Sequence, residues 1–156
     1  SIRIPAFVYS INISKNKLKE ILIPNENLNN LNVSENLLTN FKLKKNNTLV
    51  NIDISKNKIE KIETDENTIL TDLDLSNNLF NNESINTILL FKNLKKLNIS
   101  SNKINNMNFI KNLDSILSIN IDDTLINIPE IDNKILDNFT FEQDNHILNR
   151  KNINKL

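Results

Sequence analysis

Apolar residues recur along this chain in a fixed frame: apolar-x-x-apolar-x-apolar-x-x-Asn-x-apolar. Val8, Ile11, Ile13, Asn16 and Leu18 fill it once, and Leu28, Leu31, Val33, Asn36 and Leu38 fill it again. The third copy is Leu49, Ile52, Ile54, Asn57 and Ile59, the fourth Leu70, Leu73, Leu75, Asn78 and Phe80, and the fifth Leu94, Leu97, Ile99, Asn102 and Ile104. A sixth copy, Ile116, Ile119, Ile121, Thr124 and Ile126, has Thr in place of Asn, and a seventh, Leu136, Phe139, Phe141, Asp144 and His146, is degraded. Copies begin roughly 20 to 24 residues apart, the period of a small stacked unit rather than of a single helix or hairpin.

Within each copy the fourth and sixth positions, such as Ile52 and Ile54, alternate with polar residues. That is the period of a strand with one buried face. One such turn cannot bury its own apolar face, so stacked copies must bury one another. The recurring Asn falls where the chain leaves the strand, and that bend strips backbone groups of their partners. An Asn side chain both donates and accepts, so Asn16, Asn36, Asn57, Asn78 and Asn102 are expected to form a structural ladder between turns. Thr124 and Asp144 cannot play both parts, which reads as the array running down. Most returning segments leave room only for an extended stretch or a turn of 3-10 helix. The longest, 82–95, predicts a true helix, with Glu83 or Ser84 near its start, Ile85, Ile88 and Leu89 inward, and Lys92, Lys95 and Lys96 at its end. A second helical turn is expected within 105–113, with Met107 and Ile110 inward.

The segments IDISKNKI, LDLSNNLF and LNISSNKI carry a likeness to a known family: over most of its length the chain resembles leucine-rich-repeat proteins. The resemblance implies an α/β solenoid, curved, with a parallel β-sheet on its concave face and short helical or extended segments on its convex face. It also implies a role in protein recognition, since the family includes adhesins, phosphatase-binding regulators and recognition domains of immune receptors. On this reading residues 1–146 form a domain of six to seven repeats, the last degenerate, and residues 147–156 a tail or linker.

Composition narrows the function. Asparagine is the commonest residue, isoleucine the next, and glycine and cysteine are absent. Without Gly, bends that need positive φ are expected to fall on Asn or Asp. Without Cys there is no disulfide, thiolate metal site or cysteine nucleophile; a reducing compartment fits, although a cysteine-free protein can live anywhere. Formal charge is balanced at zero, so no global field draws the chain to nucleic acid or anionic lipid. No apolar run approaches the ~20 residues that span a bilayer. The absence of Gly excludes the familiar phosphate-binding loops, and no nucleophile motif or histidine pair is present. The expectation is therefore a non-enzymatic monomer with no cofactor or metal, whose partner is a protein or peptide, not nucleic acid or membrane.

The polar strand positions are the candidate binding surface. A central row runs Asn12, Asn32, Asp53, Asp74, Asn98, Asn120 and Thr140. One flank carries Ser10, Asn30, Asn51, Asp72, Lys96, Ser118 and Asn138, the other Ser14, Ser34, Ser55, Ser76, Ser100, Asp122 and Glu142. Partner binding is assigned to Asn12, Asn32, Asp53, Asp72, Asp74, Lys96, Asn98 and Asn120. Asp53, Asp72 and Asp74 bring carboxylates onto adjacent strands, where balance by nearby lysines is the commoner explanation and cation binding the sharper one. After each Asn an outward residue runs Lys17, Leu37, Lys58, Leu79, Lys103, Leu125. His146, the sole histidine, stands at an apolar position of the last copy and reads as a packed residue. Glycosylation patterns at Asn12, Asn32, Asn46, Asn82, Asn98 and Asn138 are by-products of the repeat. The competing readings are a structural spacer, or a regulatory or substrate-recognition domain of a larger protein.

Overall fold

A computed structural model of the chain describes residues 1–23, 27–43, 48–67, 69–126, 140–143 and 146–148. Its organising element is a sheet of short strands, one from each repeat: β2 (Ser10–Asn12), β4 (Asn30–Asn32), β6 (Asn51–Asp53), β8 (Asp72–Asp74), β9 (Lys96–Asn98), β10 (Ser118–Asn120) and β11 (Thr140–Gln143). These seven lie parallel in chain order, and a final strand β12 (His146–Leu148) adds antiparallel beside β11. On the opposite side the early repeats return in extended form. There β1 (Ile2–Arg3) pairs with β3 (Ile21–Leu22), and β5 (Phe41–Leu43) with β7 (Ile62–Thr64), both parallel. Parallel strands joined by crossovers, layer on layer in one direction, make a leucine-rich-repeat type of solenoid, and its sheet is not closed.

Burial follows the apolar frame. In the second to fifth copies every apolar frame residue is buried, from Leu28, Leu31, Val33 and Leu38 through to Leu94, Leu97, Ile99 and Ile104, and the sixth copy adds Ile116, Ile119, Ile121 and Ile126. Val8, Ile11, Ile13 and Leu18 of the first copy are only partly buried, because that layer has a neighbour on one side of its strand alone. Burial of each such side chain contributes roughly 1.5–3 kcal/mol when complete, so layers with two neighbours carry most of the stabilisation.

Four features depart from the sequence reading. The long return segment is a 3-10 helix over Ser84–Leu90, not an α-helix reaching residue 95, and no basic residue lies in its last turn. Its apolar residues explain why. Ile85, Ile88 and Phe91 are all buried and stand at strict spacing of three, the period of a 3-10 helix. The same spacing sets the second segment, where Met107, Ile110 and Leu113 are buried around the 3-10 helix Asn108–Asn112. Lys96 belongs to a strand and not to a helix end.

The seventh strand is displaced by two residues from the sequence frame: Thr140 pairs with Ser118, and Glu142, not Thr140, pairs with Asn120. A two-residue slip keeps the same strand face inward. With Phe139 and Phe141 alternating and no ladder Asn following, the pattern cannot distinguish the two registers. Leu136, Asn138, Phe139, Asp144 and residues 149–156 of the expected tail lie outside the described residues, while Ile147 and Leu148 belong to β12.

The third departure concerns the bends. Positive φ falls at one position per layer, on Lys15, Glu35, Lys56, Asn77, Ser101 and Asp123, with Asn27 in addition. Only three of these are Asn or Asp. A left-handed conformation costs an L-residue roughly 1–2 kcal/mol, and it is held here by a lateral bond. The Lys15, Glu35, Lys56 and Asn77 amides donate to the carbonyls of Ser34, Ser55, Ser76 and Ser100 in the next layer at 2.9–3.0 Å. The fourth is the burial of a serine row, taken up with the site below. Asn tolerates this backbone region better than Ser, and Asn77 already fills the equivalent position. Ser101→Asn is therefore expected to raise the unfolding free energy by about 0.5–1 kcal/mol in a urea titration; a value at or below that of the natural chain would refute the strain assignment.

Candidate functional site

Two polar ladders run beside one another across the layers. In the first, Asn36 donates through its Nδ2 to the carbonyls of Val33 and Ser34 in its own bend and of Ile13 in the preceding layer, while its Oδ1 accepts from the Leu18 amide. Asn57 does the same with Ile54, Ser55, Val33 and Leu38. Asn78 does so with Leu75, Ser76, Ile54 and Ile59, and Asn102 with Ile99, Ser100, Leu75 and Phe80, all at 2.9–3.2 Å. Each carboxamide satisfies four backbone groups that the bend would otherwise strand in the interior. Asn16, exposed on the first layer, makes only the two bonds inside its own bend. Thr124 donates to Ile121 O at 2.7 Å and accepts weakly from Ile126 at 3.5 Å, both within its own layer.

The second ladder was not legible as such. Each member of the central strand row turns its Oδ1 back to accept the amide two residues on. Asn12 takes Ser14, Asn32 takes Ser34, Asp53 takes Ser55, Asp74 takes Ser76, Asn98 takes Ser100 and Asn120 takes Asp122, at 2.9–3.1 Å. This local Asx bond ends the strand and starts the bend. The serines it captures are drawn inward. Ser34, Ser55, Ser76 and Ser100 are buried, which corrects their expected place on a flank of the open face. The signal was present as a repeated Asn/Asp-x-Ser, whose local hydrogen-bonding meaning was passed over. Asn67 was also missed. It is buried, accepts the Ile69 and Leu70 amides at 2.8 and 2.9 Å, and shapes the entry to the fourth layer.

What remains open is a polar depression of about 630 Å³ across six strands. Asn12, Asn32, Asp53, Asp74, Asn98 and Asn120 line it, together with the flanking row that includes Asn30, Asn51, Asp72 and Lys96. The strand pairing brings all of these onto one face. Lateral contacts order them. Asn51 donates to Asn30, Asn98 donates to Asp74 Oδ2 at 3.0 Å, and Lys96 approaches Asp72 to 3.5 Å, with Thr71 also donating to Asp72 at 2.7 Å. The three carboxylates are thus spread among separate partners. Among the described residues no group of three or more His, Cys, Asp or Glu is arranged to hold a metal ion, and no helix is long and apolar enough to cross a membrane.

No protein-family model matches this chain, and no curated protein does. Among solved structures, the functional domain of InlJ from Listeria monocytogenes, which includes a cysteine ladder, is similar with 18% identity and a TM-score of 0.40. The match covers 90% of this chain and 44% of that one, so the chain spans less than half of that structure's length. The ladder of the present chain is built of asparagine, and it has no cysteine.

The unequal bonding of the asparagines sets an order of cost. Asn78→Ala leaves buried carbonyls and an amide unmet and is expected to destabilise by about 1–3 kcal/mol. Asn16→Ala, in an exposed bend with two bonds, is expected to cost less than half as much. Equal losses in parallel urea titrations would contradict the lateral role of the carboxamide.

Proposed function

We propose that this chain is a non-enzymatic binding module that holds a protein or peptide on its concave face. The observation that carries this reading is the ordered polar depression. Six parallel strands, about 4.8 Å apart, present two rows of side chains whose positions are set before any partner arrives. Pre-ordering of this kind reduces the conformational entropy lost on binding. Six or seven such strands give a face on the order of 30 Å long, which contributes part of the roughly 800 Å² per partner of an ordinary interface.

The hydrogen bonds divide the labour among the assigned residues. Asn12, Asn32, Asp53, Asp74, Asn98 and Asn120 each spend one oxygen on the Asx bond, and Asn98 and Asp74 are further joined to each other across their strands. Asn30, Asn51, Asp72 and Lys96 bond to side chains or to neighbouring rows and bear on contact more than on the bend. The same division favours one competing reading, a structural spacer, because the central row already has a task within the fold.

The flanking row is therefore the place for a test that leaves the bends intact. Asn30→Arg with Asn51→Arg is expected to weaken retention of partners cross-linked by the natural chain by about tenfold or more, with melting changed by less than about 1 kcal/mol. Retention of the same partners at the same strength would sink the concave-face reading and leave the spacer.

A further inference from the structure

One exposed row of the solenoid is left unused by the concave face. It lies one residue beyond each ladder position and runs Lys17, Leu37, Lys58, Leu79, Lys103, Leu125 from layer to layer. Every member is exposed. Lateral bonds hold the row in register: the Leu37 amide donates to Leu18, Lys58 to Leu38, Leu79 to Ile59, Lys103 to Phe80 and Leu125 to Ile104, at 2.8–2.9 Å. Consecutive members are therefore about 4.8 Å apart, as in a parallel ladder, and alternate members about 9.6 Å.

The fold itself does not require leucine here. Leu37 and Leu79, both in interior layers, are 36% and 38% exposed. Lys58 and Lys103 fill the same backbone site in the layers that follow them, with the same lateral bond. Single exposed leucines are ordinary, but leucine in every second layer at one site, with lysine between, is a pattern. The lysines are open as well. Lys56, two residues before Lys58, is taken up by Glu35 at 3.6 Å, whereas Lys58 and Lys103 enter no ion pair among the described residues. Glu60 stands on the row beyond, so in a chain of zero net charge this row carries cations and no carboxylate.

We infer that this rim is a docking site, separate from the concave face, for an acidic amphipathic helix of a partner protein laid along the solenoid axis. Spacing selects a helix. Residues seven apart on a helix share a face at about 10.5 Å, and those three or four apart at about 4.5–6 Å. Apolar residues seven apart thus meet Leu37 and Leu79, and carboxylates between them meet Lys58. An extended strand repeats one face at about 6.8 and 13.6 Å, which matches neither interval. Charge selects an acidic helix. A second copy set rim to rim would bring lysine rows together with no carboxylate between them. Anionic membranes are bound by clusters of about four to eight basic residues, and lysines in single file at every second layer fall short of that.

The probe is a labelled synthetic helix of three heptads, with leucine at the first position of each, glutamate at the fourth and fifth, and alanine or glutamine elsewhere. Titrated against the full chain by fluorescence anisotropy, it is expected to bind saturably. Three control peptides are each expected to bind about tenfold or more weakly: lysine for glutamate, glutamine for leucine, and the same residues rearranged so that leucine and glutamate alternate. On the chain, Leu37→Lys with Leu79→Lys is expected to weaken binding about tenfold. Its melting midpoint should move by less than about 4 °C, since lysine already fills this site in other layers. Should that variant fail to fold, Lys58→Glu with Lys103→Glu is expected to weaken binding by the same factor. No saturable binding up to about 1 mM, equal binding of any control peptide, or full binding by the folded variants would overturn the proposal. Loss of binding in Asn30→Arg with Asn51→Arg but not in the rim variants would put the helix on the concave face and overturn it equally. So would binding to phosphatidylserine vesicles alone, or a mass that rises with concentration and falls back in Leu37→Lys with Leu79→Lys. Those results would assign the rim to a membrane or to a second copy of the chain.

Discussion

The hydrogen bond from one layer's asparagine to the backbone of the layer before it is the interaction on which the rest of this molecule depends. A chain that turns sharply after three residues of strand leaves carbonyls and amides facing an apolar interior, and such groups cost roughly 1–3 kcal/mol each when unmet. Asn36, Asn57, Asn78 and Asn102 meet four apiece, two in their own bend and two across the junction in the preceding layer. Because the bond crosses layers, it also sets their register. A layer displaced by one residue would lose the ladder and turn its apolar side chains outward at the same time.

Register in turn makes the concave face. Once the layers are locked, residues at the same frame position fall into straight rows, and the central row becomes a second ladder of Asx bonds that ends each strand at the same point. The polar side chains of the depression are therefore ordered by the same device that stabilises the core. The arrangement is additive along one axis, with each layer dependent on its neighbours. Layers at the middle are buried on both sides, while Val8, Ile11, Ile13 and Leu18 of the first layer are only partly buried.

Much of this was legible because the frame repeats. Five copies with Asn at the polar position and alternating apolar residues before it determine strand direction, layer order and the core residues, and the burial of Leu28 to Ile104 follows that frame. Legibility failed where the repeat is locally ambiguous or where a weaker local preference is overridden. Thr140 and Glu142 exchange places because alternating Phe139 and Phe141 fit two registers. Ile85, Ile88 and Leu89 read as an α-helical stripe, but the buried set is Ile85, Ile88 and Phe91, whose spacing of three suits the tighter helix. Lys15, Glu35, Lys56 and Ser101 adopt positive φ although their types disfavour it, since the lateral bond to the next layer outweighs the preference. The buried serines were hidden because Asn-x-Ser reads equally as an outward polar strand and as an Asx bend. The candidate site was visible as a set of rows, but the bond that occupies one oxygen of each central residue was not.

The central claim is that the interior carboxamides hold neighbouring layers together. Native-state amide exchange at Leu38, Ile59 and Phe80, whose amides donate to the Oδ1 atoms of Asn57, Asn78 and Asn102, tests it most directly. The account predicts that these three exchange only through openings nearly as costly as global unfolding, far more slowly than the Lys17 amide of the exposed first bend, which has no partner among the described residues. Exchange at Leu38, Ile59 and Phe80 as fast as at Lys17 would contradict it.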